Sequence, residues 1–223
     1  MEKYGWSDRP SAVAFPVERA GYAFIFAGAF VTAVMALLEL TILALIGLVA
    51  TFFVCFFFRD PDRIIPQQDN QVVSPADGKV VSVEKMEATP YYDGVCQKVS
   101  IFMSIFNVHV NRIPFEGDVK RISYYPGKFF SANLDKASSA NEHNAVWVAT
   151  HNGEQVCFVQ IAGLIARRII CRVQEGEAVK RGQRFGLICF GSRLDVYLPA
   201  NTVLNIALGD RVKAGTSVLG KLS

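Results

Sequence analysis

A long apolar block dominates the first quarter of the chain, from Tyr22 to Phe58, with Glu39 as its one charged residue and no proline. A secretory signal peptide has an apolar core of only about 7 to 15 residues, so the block is too long for one. A single helix of this length would overshoot a hydrocarbon core about 30 Å thick. Splitting at Glu39 gives segments 22–38 and 40–58, which predicts a two-helix transmembrane hairpin with the carboxylate in its turn.

Basic residues flank both outer ends of the predicted hairpin, with Arg9 and Arg19 before it and Arg59 and Arg63 after it. The positive-inside tendency places both ends on the cytoplasmic side of the cell (inner) membrane. Two alternatives stay open: a hairpin that dips into one leaflet, and a single tilted span with buried flanks.

Beyond the block, short apolar and alternating runs are separated by Gly, Pro, Asp and Asn turns, a pattern typical of β-structure. We therefore predict a cytoplasmic segment 1–21, the hairpin 22–58 and a mostly β domain 59–223. The polar stretch 131–144 follows neither period and is predicted to be a long loop with a helical turn near 134–138. The predicted strands lie near 72–73, 79–83, 98–102, 145–149, 156–161 and 168–173.

A glycine-punctuated repeat occupies the end of the chain, with one copy at 176–186 and the other at 209–220. Each copy is typical of two turns around a short strand, because glycine supplies positive φ without steric cost. The pattern resembles biotinyl and lipoyl carrier domains, but neither copy has the Met-Lys-Met-type hairpin that a carrier needs. We expect a barrel-sandwich-like domain without carrier chemistry.

Composition excludes several classes of function. The net charge of +3 and the lack of a basic block with interleaved aromatics argue against nucleic acid and favour anionic lipid headgroups. The five cysteines form no C-x-x-C pair and the histidines are scattered, so we expect reduced thiols and no metal. Neither a G-x-S-x-G elbow nor a P-loop occurs, which removes the usual support for a serine hydrolase or a nucleotide-binding enzyme.

Three short motifs could carry chemistry: Ser74–Gly78, Asn107–Arg112 and Phe190–Arg193. Taken singly, each has a structural explanation: a tight turn, a structural histidine on an alternating strand, and a Gly-Ser bend. Their combination and order are more specific. From about Phe57 to Leu198 the chain resembles the short form of the phosphatidylserine decarboxylase family, through the blocks F-F-R-D-P-D-R, V-S-P-A-D-G-K-V, F-N-V-H-V-N-R-I-P, Y-P-G-K-F-F-S-A-N, N-E-H-N and R-F-G-L-I-C-F-G-S-R-L-D-V-Y-L-P.

The resemblance implies that the chain cuts its own Gly191–Ser192 bond, leaving a large subunit and a small one that begins with a pyruvoyl group made from Ser192. The implied activity is decarboxylation of phosphatidylserine to phosphatidylethanolamine with release of CO2. Removing CO2 from an α-amino acid needs an electron sink, and no pattern for a separate cofactor is present, so a pyruvoyl group would fill that need.

The remaining roles go to a small set of side chains. Asp77 and His109 are the candidates for the base that activates Ser192, with Asp77 acting directly or by orienting the imidazole. His109 is also the candidate proton donor to the product carbon. Candidates for the substrate phosphate are Arg112, Arg193 and Lys128.

Two departures from the family pattern concern these residues. Larger members carry L-G-S-T where this chain has Phe190-Gly191-Ser192-Arg193. The Gly-Ser pair is kept, but the residue after it is bulky and charged. Many members carry H-x-x-H in the second block, whereas this chain has Arg112 at the second position. His109 is therefore the one histidine of that block for both processing and decarboxylation.

Two other functions stay open at this point. One keeps the enzyme but changes the lipid to a serine phospholipid with ether-linked chains, which has the same headgroup chemistry. The other is a non-enzymatic, membrane-tethered barrel-sandwich adaptor. The sequence also leaves open whether the protein forms a homo-oligomer.

Overall fold

The computed structural model describes residues 4–130, 140–164 and 168–223. The helical turn predicted near 134–138 and most of the predicted loop lie outside these residues. The chain folds into two compact units: one comprises Ser11–Asp62, and the other combines the first ten residues with Arg63–Ser223.

The smaller unit is a helical hairpin. After a short 3-10 helix, α1 (Tyr22–Leu37) and α2 (Thr41–Phe57) are joined by a turn in which Glu39 has φ 58°. The apolar block thus forms two helices that meet near Glu39. That both helices span a membrane stays a prediction. The segment Arg19–Leu37 has 19 residues and a mean hydropathy of 1.9, which makes it long and apolar enough to cross a membrane, whereas α2 is shorter.

Small residues hold α1 and α2 together. A Cβ atom added to Gly28 would lie 2.8 Å from Thr51 Oγ1, and one added to Gly47 would lie 2.7 Å from Thr32 Oγ1. Each threonine donates a hydrogen bond of 2.8 Å to the glycine carbonyl one turn earlier in its own helix. This reciprocal contact permits the close backbone approach seen between helices in lipid.

The larger unit is mostly β, as predicted, and every predicted strand is present. The longer strands for which sequence reasoning listed no run are Gly117–Tyr125, Arg184–Ile188 and Ser192–Pro199. The first of these has a bulge between Val119 and Arg121. The strands are β1 (Tyr4–Gly5), β2 (Ile65–Pro66), β3 (Gln71–Val73), β4 (Gly78–Met86), β5 (Cys96–Met103), β6 (Val110–Arg112), β7 (Gly117–Tyr125), β8 (His143–Ala149), β9 (Gln155–Ala162), β10 (Ile169–Cys171), β11 (Ala178–Val179), β12 (Arg184–Ile188), β13 (Ser192–Pro199), β14 (Val203–Leu204), β15 (Arg211–Val212) and β16 (Val218–Lys221).

One long sheet and two short ones enclose the core. The long sheet is eight-stranded and curled, in the order β11-β7-β8-β9-β13-β5-β4-β15. The short sheets have the orders β10-β12-β6 and β14-β16-β3. Apolar side chains from all three meet in one cluster, for example Leu194 of β13, Phe185 of β12 and Leu219 of β16.

The long sheet has approximate two-fold symmetry about the β9–β13 pair. The nine-residue strands β4 and β7 both begin with glycine and both carry a bulge after their third residue. The two copies of the sequence repeat supply the edge strands: β11 pairs with the start of β7, and β15 pairs with the start of β4. The sequence repeat therefore reflects a structural duplication that extends over the whole long sheet.

The symmetry extends to single hydrogen bonds. In one half the Val80 N–H donates to Asp210 O at 2.8 Å, and in the other the Val119 N–H donates to Glu177 O at 2.9 Å. Residues at matched positions therefore share a backbone environment. A substitution in one half can serve as the control for the matching substitution in the other half.

Close backbone contact at the start of β7 gives a test of the fold. A Cβ atom on Gly117 would overlap the Ala149 carbonyl, so Gly117→Ala is expected to lower the free energy of unfolding by about 2–4 kcal/mol. Gly94→Ala is the control, because Gly94 has φ +84° with no atom within 4 Å and only the conformational cost of about 1–2 kcal/mol applies. Denaturant unfolding in detergent measures both, and equal losses would contradict the packing described.

Candidate active site

Ser192 is the first residue of β13 and lies in the middle of the long sheet. It pairs with Met103 of β5 on one side and Ala162 of β9 on the other. Strand alternation points its side chain to the face that carries Leu194, into the core. Its Oγ is buried and has no hydrogen-bond partner among the described residues. Such a hydroxyl costs free energy and calls for a functional explanation.

The backbone immediately before Ser192 is strained. Phe190 has φ +62° and Gly191 has φ +59°. For a residue other than glycine, this left-handed conformation costs about 1–2 kcal/mol, so Phe190 adopts an unfavourable conformation. Nothing lies within 4 Å of a Cβ added to Gly191, so conformation and not crowding explains the glycine. The predicted bend is present, and it is strained.

His109 is fully buried and directly precedes β6. Its Nδ1 lies 3.0 Å from Asn107 O. The loop that carries it leaves β5 at Ser104, whose backbone N–H and hydroxyl both donate to Asn107 Oδ1, at 2.9 and 2.8 Å. Because β5 ends at Met103, the strand partner of Ser192, this loop begins beside Ser192.

Asp77 lies in the turn before β4. Its Oδ2 accepts a hydrogen bond from Arg63 Nη2 at 2.9 Å, and its Oδ1 accepts one from the Ala214 N–H at 2.7 Å. The carboxylate therefore binds groups far away in sequence, not its own turn. The turn lies beside β6, since the Arg112 N–H donates to Pro75 O at 2.9 Å.

The structure thus brings Ser192, His109 and Asp77 to the same end of the long sheet. Ser192 begins β13, His109 ends the loop that follows β5, and Asp77 precedes β4, the other neighbour of β5. Sequence reasoning used Arg63 only as a flanking charge and missed its bond to Asp77. No local pattern could have revealed it.

Two of the predicted phosphate ligands are buried beside carboxylates. Arg112 donates to Gly182 O at 2.9 Å and lies 3.7 Å from Asp8 Oδ2. Arg193 lies on the face of β13 opposite Ser192, with its Nε 2.8 Å from Asp195 Oδ1. A phosphate would have to compete with these contacts.

The third predicted phosphate ligand, Lys128, is exposed. Its backbone forms a bridge with Asn141, and Asn141 Nδ2 donates to Ala162 O at 2.7 Å. Because Ala162 is a strand partner of Ser192, Lys128 lies at the same end of the sheet.

A cleft of about 580 Å³ opens beside Asp77, Ser104 and Asn107. Sequence reasoning did not single out three of its other lining residues: Lys79, Arg211 and Lys213. Within the described residues, no group of three or more His, Cys, Asp or Glu side chains is arranged to hold a metal.

A second polar cluster lies on the other face of the sheet. Tyr91 Oη is 2.8 Å from His143 Nε2, and burial raises the pKa of Tyr91 to about 12. Burial also raises the pKa of Tyr197. His143 is aligned with Ile161 and Arg193 across the strands, so it points away from the side that carries Ser192.

Comparison with known proteins shows the family of the chain. A family model described as phosphatidylserine decarboxylase matches residues 50–220. The chain belongs to the phosphatidylserine decarboxylase family. It is 50% identical over 205 residues to the phosphatidylserine decarboxylase proenzyme of Syntrophus aciditrophicus, covering 92% of this chain and 96% of the relative. It is 46% identical over 207 residues to the proenzyme of the same name from Desulfotalea psychrophila, with coverage of 93% and 97%. The resemblance found in the order of the motifs is confirmed.

The Arg63–Asp77 pair can be tested for coupling in this family member. Both side chains are largely buried, so Arg63→Gln and Asp77→Asn are each expected to lower the free energy of unfolding by about 1–3 kcal/mol. The double variant should lose less than the sum, with a coupling of about 1–2 kcal/mol. Denaturant unfolding in a Ser192→Ala background measures the cycle on an intact chain. Strict additivity would show that the pair contributes nothing.

Proposed function

We propose that this protein is a self-processing phosphatidylserine decarboxylase that releases CO2 and leaves phosphatidylethanolamine. Membership of the family supports the reaction, as do relatives named as its proenzyme over more than nine-tenths of their length. The observation that carries the proposal is Ser192: a buried hydroxyl without a partner behind a strained Phe190–Gly191 backbone. The same facts favour an enzyme over the adaptor, which needs neither.

Processing begins when Ser192 Oγ attacks the Gly191 carbonyl. The peptide becomes an ester and the Ser192 amine is released, so the chain beside Phe190, which is the strained residue, loses a planar amide. Elimination then breaks the Cβ–O bond and frees the carboxylate of Gly191. Hydrolysis of the unsaturated residue releases ammonia and leaves the pyruvoyl group.

The base for this attack is drawn from Asp77 and His109. His109 is buried at the end of the loop that begins beside Ser192 and is suited to accept the hydroxyl proton. Asp77 has one oxygen on Arg63 and the other on the Ala214 N–H. These contacts favour the orienting role for Asp77 over direct proton transfer.

Ser192 is fully buried in the intact chain, so a lipid cannot reach it before processing. Cleavage would release the Phe190–Gly191 end and open the face beside His109. Residue 192 would hold the pyruvoyl group, which would supply the carbonyl and the electron sink that decarboxylation of an amino acid needs. His109 would return a proton to the product carbon.

The membrane hairpin would hold the enzyme where its substrate is. Its two apolar helices and flanking arginines support a cytoplasmic catalytic unit on the inner membrane. Lys128 is the predicted phosphate ligand that is exposed at the Ser192 end of the sheet. Ester- and ether-linked serine lipids share this headgroup, and CO2 release from each would separate them.

Processing is tested by the mass of the purified protein. Two fragments are expected, residues 1–191 and residues 192–223, the second with a blocked amino terminus. Ser192→Ala should stay one chain and release no CO2, because its side chain has no nucleophile. A single intact chain with full activity would exclude the mechanism.

The role of Asp77 is tested against its symmetry mate. Glu116 precedes β7 as Asp77 precedes β4, and its Oε2 lies 3.1 Å from Arg181 Nε. Asp77→Asn is expected to slow the appearance of the cleaved chains about 10²–10⁴-fold, whereas Glu116→Gln should leave the rate unchanged. Electrophoresis over time measures both. Equal slowing would mean that Asp77 acts only through stability.

A further inference from the structure

The cleft beside Asp77 is lined by three basic side chains that make no ion pair with another described residue. These are Lys79, Arg211 and Lys213, and all three are exposed. Two carboxylates lie nearby, and both are engaged: Asp77 with Arg63, and Asp210 with the Ala207 N–H at 2.8 Å. The cleft therefore presents cations that are free to bind an anion.

Two apolar side chains stand at the same place. Phe106 lines the cleft and is 64% exposed, and Leu208 is 69% exposed. Leu208 precedes Gly209, where an added Cβ atom would lie 3.9 Å from Lys79 Cε. Cations beside exposed aromatic and aliphatic side chains are typical of surfaces that rest in the headgroup region of a bilayer.

The symmetry of the sheet shows that the fold does not require Lys79, Arg211 or Leu208. The turns at Gly209 and Gly176 make the same bond, to Val80 O at 2.9 Å and Val119 O at 2.8 Å. At three of the four matched positions, however, the other half has neither a cation nor a large apolar side chain; at the fourth, both halves have lysine. The matched pairs are Lys79 and Asp118, Arg211 and Ala178, Lys213 and Lys180, and Leu208 and Glu175.

We propose that Lys79, Arg211, Lys213, Phe106 and Leu208 form a docking surface for an anionic phospholipid bilayer. The three cations bind lipid phosphates, and Phe106 and Leu208 enter the interface. The inference rests on the proposed function and deepens it, because a lipid would then leave the bilayer at the cleft that leads to Asp77. Each cation should favour the docked state about fivefold, the equivalent of about 1 kcal/mol near an anionic surface.

The test uses the full chain in a Ser192→Ala background, so that docking is measured without processing or activity. Leu208→Trp is reconstituted in vesicles of brominated phosphatidylcholine, alone or mixed with phosphatidylglycerol. Its fluorescence should be quenched, relative to the parent, only when phosphatidylglycerol is present. Glu175→Trp is the matched control at the symmetric turn and should stay unquenched in both.

Two further measurements complete the experiment: charge-reversal variants and competition by inorganic phosphate. Quenching should be abolished in the triple variant Lys79→Glu, Arg211→Glu, Lys213→Glu. It should persist in the control Lys180→Glu. Circular dichroism checks that each variant is folded. Inorganic phosphate at constant ionic strength should leave the quenching intact, since a bilayer offers many phosphates at once. Reversal by phosphate would instead indicate a small-anion site and overturn the proposal, as would equal quenching at both turns. A separate CO2 assay on processed wild-type chain reports whether the proposed activity itself fails.

Discussion

The pairing of β13 with β5 on one side and β9 on the other fixes the position of Ser192. A strand paired along both edges in the centre of a sheet cannot shift without breaking both ladders. The strained conformation of Phe190 persists for this reason, because the sheet fixes the position that the chain must reach at Ser192. The strain is thus maintained by the two ladders, which begin at Ser192 itself.

The site lies where the two-fold symmetry of the sheet is broken. In one half, β8 and β9 are joined by a tight turn in which Thr150 and Glu154 are hydrogen-bonded. The matching strands of the other half, β5 and β13, are far apart in sequence, so their ends lead into different segments. One becomes the loop to His109 and the other the strained approach to Ser192. The duplicated sheet therefore has one end at which the loop to His109 and the segment before Ser192 come together.

Local patterns predicted the local features. The apolar block with Glu39 at its centre gave the helical hairpin, and short apolar and alternating runs gave six of the sixteen strands among the described residues. The contacts of Asp77 were beyond such reasoning, because Arg63 and Ala214 come from opposite ends of the β-rich unit. The placement of Arg193 was within reach of such reasoning: it follows Ser192 on a strand, and alternation puts the two side chains on opposite faces of the sheet.

Cleavage after Gly191 would leave the small subunit locked in the fold. It would contain β13 to β16, and three of these four strands pair with the large subunit: β13 with β5 and β9, β15 with β4, and β16 with β3. The fourth, β14, pairs with β16. Its apolar residues Leu194, Val196 and Leu219 belong to the common core. Losing one peptide bond therefore frees only the segment beside Ser192, while the sheet that positions Asp77 and His109 stays intact. Self-processing can expose the site without dismantling it.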